Sequence, residues 1–169
     1  MLQQGYASGL LARLYCLIEH ASCLVEIPPS LRWHFEAAHR VYLAHRHNVS
    51  REVRHIVQAL APLGIAPIFL KGTAYILCDD RTHQGRLFSD VDIFVPKDKL
   101  ATTEEILRWN GWIMEEKDEY DQHYYRDWMH ELPPMTHQMR GMSLDVHHNL
   151  LPLIGRIKLD ATLLQQQPH

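Results

Sequence analysis

Apolar residues recur three and four apart over residues 6–25, where Tyr6, Leu10, Leu14, Leu17, Ile18 and Ala21 form one stripe. That is the period of an amphipathic helix. Pro28 and Pro29 end the segment, and Ser30 stands where the cap of a following helix belongs. From there the apolar positions are Leu31, Phe35, Ala38, Tyr42, Val49, Val53, Ile56 and Leu60. Their spacing predicts one long helix, or two joined near residues 48–50. The other face carries Arg32, Arg40, Arg46, Arg51 and Arg54. Such a row is ordinarily a solvated face, and the sharper alternative has one or two of these arginines reaching an anionic substrate. Pro62 and Gly64 break the helix.

The pattern then changes. Residues 67–70 (PIFL) suit a short buried strand, and Lys71-Gly72-Thr73-Ala74 leads into the apolar run Tyr75-Ile76-Leu77. This reads as strand, glycine turn and helix start, where unpaired backbone N–H groups can meet phosphate oxygens. Residues 79–88 are polar and contain Gly85, hence a loop. A strand at 91–95 is closed by Pro96. Residues 97–110 read as a helix with Leu100, Ile106 and Leu107 inward, stopped by Asn110-Gly111. A short strand at 112–115 follows, then a charged, aromatic connection at 116–127. A strand within 130–139 is expected at a sheet edge because of Pro133-Pro134. Residues 142–149 alternate again, and the tail 165–169 is polar. The division predicted is a helical segment at 1–62 and a mixed α/β core at 63–169.

Two of these strands carry the candidate chemistry. In residues 87–96 (LFSDVDIFVP) strand alternation sends Asp90 and Asp92 to one face and Val91, Ile93 and Val95 to the other. Paired charges on an apolar strand are costly without compensation, and a bound cation is the usual compensation. Oxygen ligands suit Mg²⁺ or Mn²⁺. In residues 142–149 (MSLDVHHN) Asp145 and His147 share the polar face, with Leu144 and Val146 opposite. If the two strands are neighbours, Asp90, Asp92 and Asp145 form a carboxylate cluster. Such a cluster can hold two ions about 3.5–4 Å apart for in-line displacement at phosphorus. Gly72 and Thr73 would cradle phosphates, and Lys71 or Arg86 would neutralise developing charge. The bland readings remain beside these: capping for Asp90, an ion pair with Arg86 for Asp92, an ion pair for Asp145, a local structural role for Lys71, and a satisfied core position for His147.

Composition narrows the field modestly. The chain has 169 residues, room for one sizeable domain with a helical extension, and a formal net charge of −3. That charge offers no general attraction to nucleic acid or anionic membrane. Cys16, Cys23 and Cys78 have no CxxC spacing and read as buried thiols in a reducing cytoplasm. The first twenty residues lack a basic n-region, and no apolar run approaches a membrane span.

The motifs Lys71-Gly72-Thr73-Ala74, Arg86-x-x-Ser89-Asp90-Val91-Asp92-Ile93-Phe94-Val95 and Leu144-Asp145-Val146-His147 resemble the DNA polymerase β-like nucleotidyltransferase superfamily. Within it they are most similar to a bacterial uncharacterised nucleotidyltransferase family with L-K-G, R-x-x-S-D-[IV]-D and L-D-[LV]-H. The resemblance spans residues 65–150, about half the chain. It implies an α/β (α+β) nucleotidyltransferase fold: a small mixed sheet flanked by helices, with an N-terminal helical extension. It implies Asp90, Asp92 and Asp145 as catalytic metal ligands for Mg²⁺ or Mn²⁺. Lys71, Gly72, Thr73, Arg86 and Ser89 then lie at the nucleotide phosphates, with His147 behind the carboxylates. The reaction implied moves NMP from an NTP such as ATP to a hydroxyl acceptor and releases pyrophosphate. Thr73 stands where Ser is commoner, and the gap from Thr73 to Asp90 is longer than in many members. Related chains often continue into a further helical segment, so part of an acceptor-binding region is expected beyond His169.

Two other classes compete. His123, His130, His137, His147 and His148 crowd the C-terminal half, but none falls into H-E-x-x-H or a paired Cys/His spacing, which weighs against zinc catalysis. An inactive module of the same fold, acting through its helices, is the other. For an enzyme, the acidic balance favours a small-molecule or protein acceptor over RNA.

Overall fold

A computed structural model describes residues 5, 8–114 and 131–151. The connection at 116–127, His123, His130 and the tail at 165–169 lie outside the described residues. These form a mixed α/β structure whose elements are helix α1 (Leu10–His20), helix α2 (Pro29–Leu60), strand β1 (Ile68–Phe69), helix α3 (Lys71–Leu77), strand β2 (Asp90–Phe94), helix α4 (Leu100–Trp109), and strands β3 (Trp112–Met114), β4 (Met135–His137) and β5 (Ser143–His147). None of the described helices is long and apolar enough to cross a membrane.

The elements fall into two compact units. Residues Met1–Arg51 and Gly72–Phe88 make the first, Glu52–Lys71 and Ser89–His169 the second. In the first, Ala12 and Cys16 of α1 and Tyr42 of α2 form a buried cluster with Ala38 against it. Arg13 of α1 donates from one guanidinium nitrogen to the carbonyls of Arg81, at 2.9 Å, and Gln84, at 2.8 Å. Beside this tie Gly85 has φ of +72°, and a Cβ there would collide with the backbone of Arg13. A left-handed conformation and a close approach thus both require glycine.

Helix α2 runs unbroken for 32 residues. Of the two expected alternatives, one long helix or two joined near residues 48–50, the single helix is the one observed. Ser50 turns its hydroxyl back to donate to the Arg46 carbonyl at 2.9 Å, so it is satisfied inside the helix instead of competing with it. Arg32, Arg40, Arg51 and Arg54 are exposed, and Arg46 pairs with Asp79 at 3.1 Å. That fits the solvated-face reading.

The second unit contains the sheet, in the order β1-β2-β5-β4-β3. β2 and β5 run parallel, and every other pairing is antiparallel. Val91, Ile93, Val95, Leu144 and Val146 are fully buried, so one face of the β2–β5 pair is core. The strand predicted within 130–139 lies inside the sheet, between β5 and β3, and the expectation of an edge was wrong. Pro133 and Pro134 precede β4, which starts at Met135, so neither removes a hydrogen bond from its ladder.

The turn from β4 to β5 is anchored from α2. The Arg140 guanidinium makes a bidentate pair with the buried Glu52 carboxylate and lies 5.7 Å from the Trp112 ring centroid. His137 completes the anchor. Its Nδ1 accepts from the amides of Met139, at 3.1 Å, and Arg140, at 3.3 Å, which leaves Nε2–H to donate to the Asn110 carbonyl at 3.0 Å. Burial and the neighbouring Arg140 charge lower its pKa. His137 is therefore a structural histidine, consistent with rejecting a zinc reading for it.

Candidate functional site

β2 and β5 pair in register, so that Asp92 lies opposite Asp145 and Asp90 opposite Ser143. Side chains at 90 and 92, and at 143, 145 and 147, share the face opposite the core. The parallel ladder thus converts two separate sequence patterns into one polar cluster. Asp92, Asp145 and His147 each offer a ligand atom, and the three atoms lie within 4.8 Å of one another. Asp90 stands two residues back along β2, and the Ser89 hydroxyl is 3.4 Å from its carboxylate.

Asp92 is the hub. Its side chain is 4% exposed, and its Oδ1 accepts from Lys71 Nζ at 2.6 Å and from His147 Nε2 at 2.9 Å. Burial alone would raise its pKa, but the hydrogen bonds from His147 and Lys71, with their charges, outweigh that and lower it. Lys71, which pairs with Asp92, takes a left-handed backbone conformation, φ +49°, at the junction of β1 and α3. A non-glycine residue held there costs on the order of 1 kcal/mol and marks a position whose side chain must point a particular way. Burial lowers the Lys71 pKa, whereas the bond to Asp92 and the charges of Asp92, Asp145 and Asp90 raise it by more.

His147 sits between two carboxylates. Its Nδ1 lies 3.1 Å from Glu131 Oε2, and Glu131 also bridges to His147 through the backbone. Burial would lower the imidazole pKa, but the hydrogen bonds to Asp92 and Glu131 dominate and raise it to about 9. Asp145 is raised instead, to about 6, by burial first and then by the charges of Asp90, Asp92 and Glu131. It is the carboxyl of the cluster that ionises at a cost. This donor set fits a divalent cation, which would offset the repulsion among the carboxylates that makes Asp145 costly to ionise.

The remaining residues from the sequence reading are placed as follows. Lys71, Ser89, Asp90, Asp92, Asp145 and His147 belong to the second unit, and Gly72, Thr73 and Arg86 to the first. Gly72 packs against Phe88, whose ring would be 2.8 Å from an added Cβ, so its glycine has a packing reason of its own. Thr73 is fully buried, and its hydroxyl has no hydrogen-bond partner among the described residues. Arg86 is exposed and, with Arg13 and Thr82, lines an open cavity of about 420 Å³. Glu131 was not identified from sequence. Nothing before Leu132-Pro133-Pro134 has a strand period, and only the bridge to β5 brings this acid to His147.

No curated protein and no solved structure matches the chain. A family model described as uncharacterised nucleotidyltransferase does, over residues 1–169. With five strands in a mixed sheet and paired acids on its polar face, the chain belongs to that uncharacterised nucleotidyltransferase family and has the mixed α/β fold expected of it.

Proposed function

We propose that this chain is a metal-dependent nucleotidyltransferase that moves an NMP group from an NTP to a hydroxyl of a small molecule or protein. The observation that carries the reading is Asp92 opposite Asp145 on parallel strands, with Asp90 on the same face. No packing requirement explains three acids there. In the reaction the acceptor oxygen bonds to the α-phosphorus and the bond from that phosphorus to the β-phosphate oxygen breaks. Pyrophosphate leaves, and the acceptor proton passes to solvent. Mg²⁺ or Mn²⁺, when bound, supplies charge neutralisation and Lewis acidity for this displacement. Asp90, Asp92 and Asp145 would hold it. Lys71, whose side chain is 61% exposed, is free to swing from Asp92 to a phosphate oxygen. Gly72, Thr73, Arg86 and Ser89 are assigned to the nucleotide phosphates on the sequence resemblance.

Cys16, Cys23 and Cys78 are all free thiols, which supports placement in a reducing cytoplasm, but only Cys16 is buried as expected; Cys23 is half-buried and Cys78 exposed. The net charge of −3 favours a small-molecule or protein acceptor over RNA. A second reading, an inactive binding module of the same fold, draws on one observation: Lys71 and His147 already compensate Asp92 without an ion. The two separate on incubation of the protein with each of the four α-labelled NTPs, Mn²⁺ or Mg²⁺, and a cell lysate. An enzyme transfers label to a protein band or small molecule, and loses transfer but keeps its circular dichroism spectrum when Asp90→Ala and Asp92→Ala are combined. If no NTP gives transfer with either ion, the module reading stands.

A further inference from the structure

We propose that His147 is a direct nitrogen ligand of the cation, oriented by Glu131, and that the site therefore prefers Mn²⁺ to Mg²⁺. This rests on the reading above, that the cluster holds a divalent cation, and changes the place of His147 from behind the carboxylates to among the ligands. It also makes Glu131, which the motifs do not include, part of the centre.

The spacing of the donor atoms is compatible with a shared cation. In an octahedron with ligand bonds of about 2.1 Å, neighbouring ligand atoms are about 3.0 Å apart. His147 Nε2 and Asp92 Oδ1 are 2.9 Å apart, and Asp145 supplies a third atom within the 4.8 Å group. His147 Nε2, Asp92 Oδ1 and an Asp145 carboxylate oxygen would hold the cation, and His147 would give up its Nε2 proton to solvent to do so.

The second nitrogen is handled as metal-binding histidines require. Ligand imidazoles commonly donate the other ring N–H to a carboxylate, which fixes the tautomer and the ring orientation. Glu131 Oε2, at 3.1 Å from Nδ1, is that carboxylate.

Exposure distinguishes the two cations that now compensate Asp92. The Lys71 side chain is 61% exposed and can withdraw into solvent, whereas that of His147 is 3% exposed and tied at both nitrogens. When an ion enters, Lys71 is the group that leaves. His147 stays, facing the ion with its only remaining lone pair. Mg²⁺ keeps to oxygen and water, so an imidazole ligand disfavours it more than Mn²⁺, although nitrogen donors suit Fe²⁺, Ni²⁺, Cu²⁺ and Zn²⁺ better than either.

The test uses the whole chain with each metal alone, without nucleotide. Electron spin-echo envelope modulation of Mn²⁺ on the wild-type protein should show a directly bound nitrogen, with its pattern changed by ¹⁵N-histidine labelling. Calorimetric titration should show tighter binding of Mn²⁺ than of Mg²⁺. His147→Asn should abolish the nitrogen modulation and weaken Mn²⁺ binding about 10–100-fold while leaving Mg²⁺ binding nearly unchanged, and Glu131→Gln should weaken Mn²⁺ binding by about tenfold. Bound Mn²⁺ without nitrogen modulation in the wild type overturns the inference and leaves the carboxylate site intact. Equal weakening of both ions by His147→Asn also overturns it. Failure of the wild type to bind either ion overturns the cation reading of the whole cluster. The wild-type spectrum decides the matter even if the variants do not fold.

Discussion

Removing the charge of Asp145 should stabilise the metal-free protein, and only at a pH where that charge exists. Burial and the charges of Asp90, Asp92 and Glu131 raise its carboxyl from 3.8 to about 6. The folded state therefore binds this proton more tightly than the unfolded state. Between those two values it carries more of the proton, so stability falls as pH rises through the window and stays lowered above it. Below the lower value both states are protonated and the residue contributes nothing. Each tenfold change in proton affinity is worth about 1.4 kcal/mol, which for a rise from 3.8 to about 6 gives roughly 3 kcal/mol at full strength. The side chain is only half-buried, and solvent screening reduces the expected cost to about 1–2 kcal/mol.

The perturbation is Asp145→Asn, which keeps the shape of the side chain and removes the charge. Urea unfolding with a chelator present, followed by circular dichroism, should show the variant more stable than wild type by about 1–2 kcal/mol at about pH 8 and equal to it at about pH 3. The slope against urea should be unchanged, since no surface is newly exposed. Asp92, His147 and Lys71 interact with Asp145, so the difference reports the Asp145 charge together with its coupling to these neighbours. If the cluster holds a divalent cation as proposed, a saturating concentration should reverse the order, because the wild type offers the ion a charged carboxylate that the variant lacks. The reasoning is refuted if the variant is no more stable at the higher pH, or if its gain is the same at both. The latter outcome would mean better packing and not relief of charge.

Two further predictions concern residues outside the carboxylate cluster. Glu52→Ala leaves the Arg140 guanidinium without its carboxylate beside Trp112, and loss of one partner from a buried pair costs about 3–5 kcal/mol, measured as a fall in the urea midpoint. Arg140 is partly exposed, so the lower end applies, and adding Arg140→Ala should recover part of the loss. Thr73→Val should leave stability unchanged or raise it by up to about 1 kcal/mol in thermal unfolding, because the buried hydroxyl it removes has no partner among the described residues. If that hydroxyl serves the nucleotide, the same variant raises KM for the NTP, and an unchanged KM would remove Thr73 from the site.

What was legible in the sequence was whatever repeats locally. Period-two alternation at residues 90–95 and 143–147 fixed which face each acid occupies, and the 3.6-residue period found α2 and α4. It found the helix of α1 but not its buried face: the expected stripe Leu10, Leu14 and Leu17 is exposed, and Leu11, Ala12 and Cys16 are the buried residues. What stayed hidden depends on partners far along the chain. Pro133-Pro134 pointed to an edge because the rule concerns hydrogen bonds within a strand, and no local signal says that the strand begins one residue after them. The period alone left one helix or two joined near residues 48–50, and the return of the Ser50 hydroxyl to Arg46 inside a single helix is a three-dimensional fact. Glu131 could not be found at all, since its role exists only through His147.

Register is the step that turns the legible pattern into chemistry. Asp92 and Asp145 are separated by more than fifty positions, and side chains alternate along each strand. A slip of β5 by one residue against β2 would put Leu144 or Val146 opposite Asp92 and send Asp145 into the core. Two features oppose that slip. The core face needs Val91, Ile93, Val95, Leu144 and Val146 together, and all five are fully buried. The Glu52–Arg140 pair and the His137 hydrogen bonds hold the turn that leads into β5. The same apolar residues that make each strand recognisable therefore also fix the distance between its acids. A site assembled from short patterns can be read in outline from sequence because burial of the opposite face leaves its carboxylates one arrangement to adopt.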